Sequence, residues 1–431
     1  MTTEIKKGDK KIINAWTFYD WANSSYPLVI TTAIFPIFYE AVTSTKVDGK
    51  VVDDTVSLFG FKFINTELYS YVVALSFIIV SIISPLLSGI ADYSGNKKRF
   101  MQFFCYMGSI ACATLFFFSK DHLFWGMLSI LLASVGFWGS LVFYNAFLPE
   151  IAEPKDHDIV SAKGFARGYF GSSLLLILNL ILIQGFHMPA KYSFLTVAIW
   201  WAGFAQIPFI VLRNGEKKQH KNENIILKGF KELAKVWQEL KHIKPLKRFL
   251  ISFFIYSMGV QTVMLMAVLF AKKEIVGLQD SNLIVSVLLI QFLAIGGSYL
   301  FSFLSNKIGN VKAIGINLFI WIAVCIGTYK FVYTPNHFYI IAALVGLIMG
   351  GVQSLSRSTY SKLIPPTHDT ASYFSFYDIC EKIGIVIGML SFGYIEGITG
   401  GMRNSVLALI VFFIAGFLML FTIPKTKTIE S

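Results

Sequence analysis

The chain has 431 residues, 55% of them hydrophobic and 14% charged, and a mean hydropathy of +0.63. Soluble domains carry about a quarter charged residues, so this composition excludes an ordinary water-soluble domain and places the chain in lipid as a polytopic membrane protein. The formal net charge of +12 would point to nucleic acid in a soluble protein, but the basic residues fall in loops between apolar runs. That placement fits the cytoplasmic face of a bilayer and no nucleic-acid partner.

A spanning helix needs roughly 20 apolar residues, and twelve runs qualify: 13–41, 68–91, 100–118, 122–148, 160–184, 191–212, 248–271, 281–304, 312–333, 337–363, 371–397 and 403–423. We number them helices 1 to 12. Helix 1 opens on WTFYDWANSSYP, in which Asp20, Asn23, Pro27 and Thr31 stand at i, i+3, i+7 and i+11 and form one polar stripe. Lipid does not tolerate such a stripe, whereas a cavity does. Pro27 removes a backbone hydrogen bond and bends the helix there. The loop 42–67 is acidic, with Asp48, Asp53, Asp54 and Glu67. After helix 2 comes SGIADYSGNKKR, Ser88–Arg99. Lys6, Lys7, Lys10, Lys11, Lys155, Lys163, Lys307, Lys312, Lys425 and Lys427 mark the same side as Lys97, Lys98 and Arg99. Excess base marks the inside, so both termini and the 213–247 segment are expected in the cytoplasm, as an even helix count requires.

The two halves echo each other. SGIADYSGNKKR after helix 2 is matched by SFLSNKIGNVKA, Ser302–Ala313, after helix 8. SLVFYNAFLP, Ser140–Pro149, is matched by SRSTYSKLIP, Ser356–Pro365, and each is followed by His-Asp. Two matches in chain order, each separated by about 215 residues, read as a six-plus-six duplication. The expected division is a bundle at 1–212, a linker at 213–247 and a second bundle at 248–431. Within the linker, Ile226, Phe230, Leu233, Trp237 and Leu240 share one helical face while lysines cover the rest. This predicts an amphipathic helix on the cytoplasmic leaflet, acting as a tether or as a sensor of lipid or partner.

Cys105, Cys112, Cys325 and Cys380 all lie in apolar runs, without a CxxC pair or a His/Cys metal spacing. No metal or cofactor is expected. No GxSxG, HExxH, P-loop or GxGxxG occurs, and there are only seven histidines, so no enzyme is indicated. The first apolar run is too long for a signal-peptide core and is expected to stay in the membrane. The sequon at Asn23 lies within a span and cannot be glycosylated.

Twelve helices in two echoing halves with a basic middle loop resemble a major facilitator superfamily transporter. The loop after helix 2 is similar to that superfamily's signature, with Asp92, Gly95, Lys97 and Lys98 in place, Ser88 where glycine is usual and Tyr93 where arginine is usual. FYDWANSSYPLVITTAIFPIFY (Phe18–Tyr39), VFYNAFLPEIA (Val142–Ala152), GVQTV (Gly259–Val263) and GGVQSLSRSTYSKLIP (Gly350–Pro365) resemble the vacuolar amino-acid effluxer family of autophagy and its bacterial branch. The resemblance implies an all-α fold of two six-helix bundles and a gradient-driven permease in a plasma membrane, the bacterial inner membrane. It does not fix the solute. An amino acid or related zwitterion is expected, with protons as the coupling ion and a monomeric chain in lipid. Peptides or amphipathic cell-wall fragments are the alternative solutes, and a non-transporting receptor on the same fold is the rival class.

At about 1.5 Å of rise per residue, Asp20, Arg167 and Arg357 lie roughly 10 Å from the cytoplasmic ends of their helices, and Asp378, Glu381 and Lys382 on helix 11 roughly 10–16 Å in. These charges form one layer, and charges inside a membrane default to a functional role with a partner. Asp20 reads as a protonatable coupling site or as a permanent ion pair. Arg357 reads as a grip for a substrate carboxylate or as a gate partner of Asp378 or Glu381. Arg167, Asp378, Glu381 and Lys382 are further coupling or gate candidates, and Glu150 is expected to pair with Arg167. In the superfamily resembled, helices 1, 4, 7 and 10 line the central cavity. Asn23, Asn145, Gln261, Gln353 and Ser354 are therefore candidates for binding a polar solute, or else make interhelical contacts. Gly164, Gly168, Gly171, Gly384 and Gly388 are expected to serve close helix packing.

Overall fold

The computed structural model describes residues 7–47, 50–214, 225–275 and 277–424. Lys6, Asp48, Lys425, Lys427 and the side chain of Ile226 thus lie outside the described residues.

Helix 1 runs Lys10–Thr43, helix 2 Asn65–Ser94, helix 3 Lys97–Phe117, helix 4 Lys120–Ile151, helix 5 Pro154–Gly185 and helix 6 Tyr192–Val211. The linker helix is Ile225–His242. Helix 7 is Lys244–Glu274, helix 8 Asp280–Ile308, helix 9 Asn310–Phe331, helix 10 Pro335–Leu363, helix 11 Thr370–Thr399 and helix 12 Met402–Leu420. Among the described residues eleven of these helices are long and apolar enough to cross a membrane. Helix 11 has 30 residues, as many as helix 2, but carries Asp378, Glu381, Lys382 and Glu396.

Proline acts in helix 1 by widening the coil. From Tyr26 to Ile34 the backbone is wound as a π-helix. The Thr31 and Thr32 hydroxyls both donate to the carbonyl of Pro27, at 2.7 and 2.8 Å. The π-helix is a rare conformation, and it occurs here where Pro27 lacks the N–H that the regular ladder uses. The acidic loop after helix 1 is not irregular coil. It folds as two antiparallel hairpins, Thr45–Val47 with Lys50–Asp53 and Thr55–Leu58 with Phe61–Ile64. The second turns through Phe59 and Gly60, both with positive φ (53° and 83°), as a two-residue turn matched to strand twist requires. These short strands are confined to the loop between helices 1 and 2, and the membrane spans are all helical. The strands mark one end of the molecule, the hairpin end, and the linker helix marks the other, the linker end.

Helix 5 packs between helix 1 on one side and helices 8 and 10 on the other, and helix 11 packs against helices 2, 4 and 7. Small residues allow this closeness. A Cβ on Gly168 would meet the Ser24 hydroxyl, and one on Gly171 would lie 2.8 Å from the Trp21 ring. A Cβ on Gly388 would strike Thr262 and the Met258 carbonyl. The glycines of helices 5 and 11 thus serve close packing, against helices 1 and 7.

Candidate functional site

The central feature is an ion pair between the first and second halves of the chain. Arg357 on helix 10 and Asp20 on helix 1 are 3% and 4% exposed. The guanidinium donates from Nη1 and Nη2 to Asp20 Oδ2 at 3.2 and 3.3 Å. Its Nε donates to the Ser161 hydroxyl at 2.9 Å, Nη2 also to the Ser161 carbonyl at 2.8 Å, and Nη1 to Asn145 Oδ1 at 3.4 Å. Asp20 Oδ2 takes a third donor, the Tyr144 hydroxyl, at 2.6 Å. The rings of Trp16, Tyr144 and Phe165 surround the guanidinium carbon at 5.0, 5.5 and 4.1 Å, which adds cation–π attraction in a dry site. Gly164 makes room for the pair, because a Cβ there would collide with Asp20 Oδ2 and lie 2.8 Å from Arg357 Nη2.

This settles which partner Arg357 has in this conformation. It is Asp20, not Asp378 or Glu381. Arg167 holds no carboxylate among the described residues. It donates to the Asn14 carbonyl at 2.8 Å and to the Thr17 hydroxyl, and stacks on Phe18. The expected Glu150–Arg167 pair is also absent, because Arg167 stands roughly 15 Å along helix 5 from its first α-helical turn at His157. Glu150 lies at the end of helix 4, level with the start of helix 3, and pairs there with Lys97.

The remaining candidates fall into separate groups. On helix 11, Lys382 lies between Asp378 Oδ1 at 3.0 Å and Glu381 Oε2 at 2.7 Å, with its ammonium 3.6 Å above the Trp138 ring of helix 4. Gln261 joins this cluster by donating to Glu381 Oε1 at 2.8 Å. Gln353 accepts from the Tyr169 hydroxyl of helix 5 and faces Met264 Sδ at 3.4 Å. The Ser354 hydroxyl turns back to its own helix at Gly351, while its carbonyl accepts from Ser161 at 2.8 Å. Asn23 is buried beside Ser24, and its Nδ2 finds no partner among the described residues. Asn145 alone of the amide candidates reaches Arg357.

Two polar knots tie the halves together toward the linker end. In the first, Asp92 in the last turn of helix 2 faces helix 11, and Gly95 ends helix 2 with φ 68°, turning the chain into helix 3. The carboxylate accepts from the backbone N–H of Ala371 at 3.2 Å and of Ser372 at 2.7 Å, and from the Ser372 hydroxyl at 2.7 Å. These are the orphan donors of a helix N-terminus, where negative charge is favoured. Lys97 lies 3.6 Å from Asp92, pairs with Glu150 and donates to Thr370 Oγ1 at 2.7 Å. Lys98 instead caps helix 6 through the carbonyls of Phe209 and Leu212.

The second knot was not read from the sequence. Asp158, at the start of helix 5, accepts from Ser305, Asn310 and Lys362, each at 2.8 Å. Lys362 also donates to Asn310 Oδ1 at 3.0 Å, and Asn310 to Thr359 at 2.9 Å. The signal was present in the His-Asp that follows both copies of the second echo, since Asp158 and Asp369 occupy matching positions.

The linker helix lies across this end against helices 2 and 11. Lys235 reaches Asp369 at 3.3 Å, Tyr373 donates to Glu239 at 2.9 Å, and Trp237 stacks near Phe376. Partial burial lowers the pKa of Lys235, but the Asp369, Glu232 and Glu239 carboxylates outweigh it and raise the group above its ordinary value. The buried stripe is Gly229, Val236 and Leu240, whereas Phe230 and Trp237 remain 49% and 45% exposed. Gly229 rests directly on Gly89 and Ile90 of helix 2, and the apolar face expected to meet the leaflet keeps Phe230 and Trp237 exposed.

This architecture, two sets of six helices locked by charges at their interface, is that of the major facilitator superfamily. The chain aligns over 97% of its length with a major facilitator superfamily transporter, FucP, in the outward conformation (TM-score 0.72, 12% identity, 99% of that chain). It aligns equally well with the human organic anion transporter MFSD10 (TM-score 0.72, 11% identity, 96% of this chain and 100% of that one). Residues 8–431 match the model of the family described as vacuole effluxer Atg22 like, and the chain belongs to that family. It is 31% identical to an uncharacterized MFS-type transporter, YxiO, of Bacillus subtilis, over 97% of this chain and 96% of the relative. Autophagy-related protein 22 of Kluyveromyces lactis is 25% identical over 94% of this chain and 92% of that one. The chain is thus a multi-pass membrane protein of transporter family and fold, not an enzyme.

Proposed function

We propose that the protein is a secondary active transporter that moves a small polar zwitterion, an amino acid or a close relative, by alternating access coupled to protons. The observation that carries this reading is the buried Asp20–Arg357 pair, set between helices 1, 4, 5 and 10 with Asn145, Ser161 and Tyr144 around it. A guanidinium is the side chain best suited to gripping a carboxylate, and in this conformation an internal carboxylate holds it. A substrate carboxylate that takes over Arg357 must displace Asp20, and a proton on Asp20 makes that exchange neutral. Residues 1–212 and 248–431 are the proposed rocking units, joined by 213–247. In this proposal the linker end faces the cytoplasm, the protein works as a monomer in a plasma membrane, and the conformation described is shut on the cytoplasmic side by the two knots.

The test is a thermal-shift screen of the purified protein against amino acids, peptides and sugars at two pH values, followed by uptake into proteoliposomes. Amino acids should raise the melting temperature, because a ligand that binds the folded state stabilises it. Arg357→Gln should abolish the shift. A shift produced by peptides or sugars alone would replace the substrate class, and binding without flux would make the protein a receptor.

A further inference from the structure

The Asp378–Glu381–Lys382 cluster is set apart from the Asp20–Arg357 pair by its charge count. Two carboxylates share one ammonium, so the fully ionised cluster carries one uncompensated negative charge. Lys382 is 0% and Asp378 5% exposed. An unmatched charge in such surroundings costs several kcal/mol.

The oxygens differ in how they are satisfied. Glu381 Oε1 accepts from Gln261 and Oε2 from Lys382. Asp378 Oδ1 faces Lys382, while Oδ2 is buried with no hydrogen-bond partner among the described residues. A bare carboxylate oxygen in that position is the costliest arrangement available, and a proton on it removes both the excess charge and the bare oxygen.

Among the described residues the elements around helix 11 supply no other compensation. Helix 7 offers the neutral Gln261, and helix 4 the indole of Trp138. Of the two charges on helix 2, Glu67 lies at the hairpin end and Asp92 is engaged with Ala371 and Ser372 at the first turn of helix 11. The linker helix places Glu239 on the Tyr373 hydroxyl, and Arg403 of helix 12 is paired with Glu274. Cys380 and Tyr377 are other titratable side chains near the cluster, Tyr377 interacting electrostatically with Glu381 and Arg357. The Asp92–Lys97–Glu150 group has the same formal count but a different solution. Both oxygens of Asp92 are filled by helix 11 donors, whereas Asp378 Oδ2 has none among the described residues; the Glu150 and Glu381 side chains are similarly exposed, at 23% and 19%.

We propose that the Asp378–Glu381–Lys382 cluster is a proton-binding site, with the exchangeable proton on Asp378 Oδ2. The proton leaves to solvent as the halves separate, for the wall of the site, Trp138, belongs to the other half. Water entering there can solvate the second carboxylate, so proton release accompanies opening. This rests on the proton-coupled reading and adds to it a second protonatable site, on helix 11, besides Asp20.

The test uses the full-length protein in nanodiscs with protons as the only ligand, read by pH-difference infrared spectroscopy. Wild type should show a protonated carboxyl band at neutral pH that disappears on alkalinisation. Asp378→Asn should remove it. Glu381→Gln should also remove it, because one carboxylate and one lysine need no proton. Lys382→Met should double it, because two carboxylates without a counter-charge each take one. The last two variants decide the matter even if Asp378→Asn fails to fold. Absence of the band in wild type, its persistence in Glu381→Gln, or its loss in Asp20→Asn instead would overturn the assignment. No substrate enters the measurement, so failure here leaves the transport reading standing, and a titrating site without flux in proteoliposomes defeats that reading alone.

Discussion

At the scale of single residues, the Asp20–Arg357 pair makes a sharp prediction. Each group is buried, and each is the other's ion-pair partner in the structure. Removing one partner of a buried pair strands a charge at a cost of about 3–5 kcal/mol. Asp20→Asn leaves a dry guanidinium with only neutral acceptors. Arg357→Gln leaves a carboxylate that still has the Tyr144 hydroxyl. Both variants should melt well below wild type, Asp20→Asn the lower. The double variant should recover to above either single one, in thermal unfolding followed in detergent. Simply additive losses would show that the pair is not a coupled unit. The sequence made Asp20 legible as a member of a charged layer, because depth follows from counting residues. It could not choose the partner, since Arg167 and Arg357 lie at similar depth and only helix rotation separates them. Ser161 and Tyr144 were invisible for a different reason: neutral hydroxyls in apolar helices carry no signal until something charged is seen beside them.

At the scale of elements, length and apolarity located all twelve helices within a few residues. What they missed is local backbone behaviour. Nothing in the period of helix 1 announces that Tyr26–Ile34 winds wide, and the two hairpins sit in a loop read only for its charge. The linker helix shows what one small residue adds to a pattern. Its apolar face was read as meeting the leaflet, and the docking on helix 2 comes from the side where Gly229 lets two backbones touch and seats the helix beside Val236 and Leu240. A Cβ at Gly229 would come within 2.6 Å of Ile90 Cγ1 and 2.8 Å of Ile90 N. Gly229→Leu should therefore undock the linker while raising its intrinsic helicity, since glycine is the poorer helix former by about 1 kcal/mol. A cysteine placed at Val236, which is fully buried, should then react with a water-soluble maleimide about tenfold faster, equivalent to some 1.4 kcal/mol of lost docking. Unchanged reactivity would mean that the contacts with helix 11 hold the linker by themselves.

At the scale of the whole molecule, the internal echo carried the architecture, because two halves with one pattern imply one fold used twice. It also contained more than was read from it. Asp92 reaches from helix 2 to the start of helix 11, and Asp158 reaches from the start of helix 5 to the ends of helices 8 and 10 and the start of helix 9. The two knots therefore sit on opposite sides of the interface between halves and close the same end. In the proposed transport cycle these knots are a gate held at two places, so weakening either should shift the population toward the open state and weakening both should shift it further. Asp92→Asn loses the charge that meets the helix 11 N-terminus, and Asp158→Asn strands Lys362. Ser361 is a suitable reporter: it is 2% exposed at the linker end, and its hydroxyl has no partner among the described residues, so Ser361→Cys disturbs little. The native cysteines are buried except Cys380, which is half-buried, and labelling of the parent protein sets the background. Each aspartate variant should raise maleimide labelling at position 361 about fivefold or more, the lower end of ordinary conformational coupling, and the double variant should exceed both. If Asp92→Asn raises labelling while Asp158→Asn does not, the second knot is packing rather than gate, and closure at this end rests on helix 11 alone.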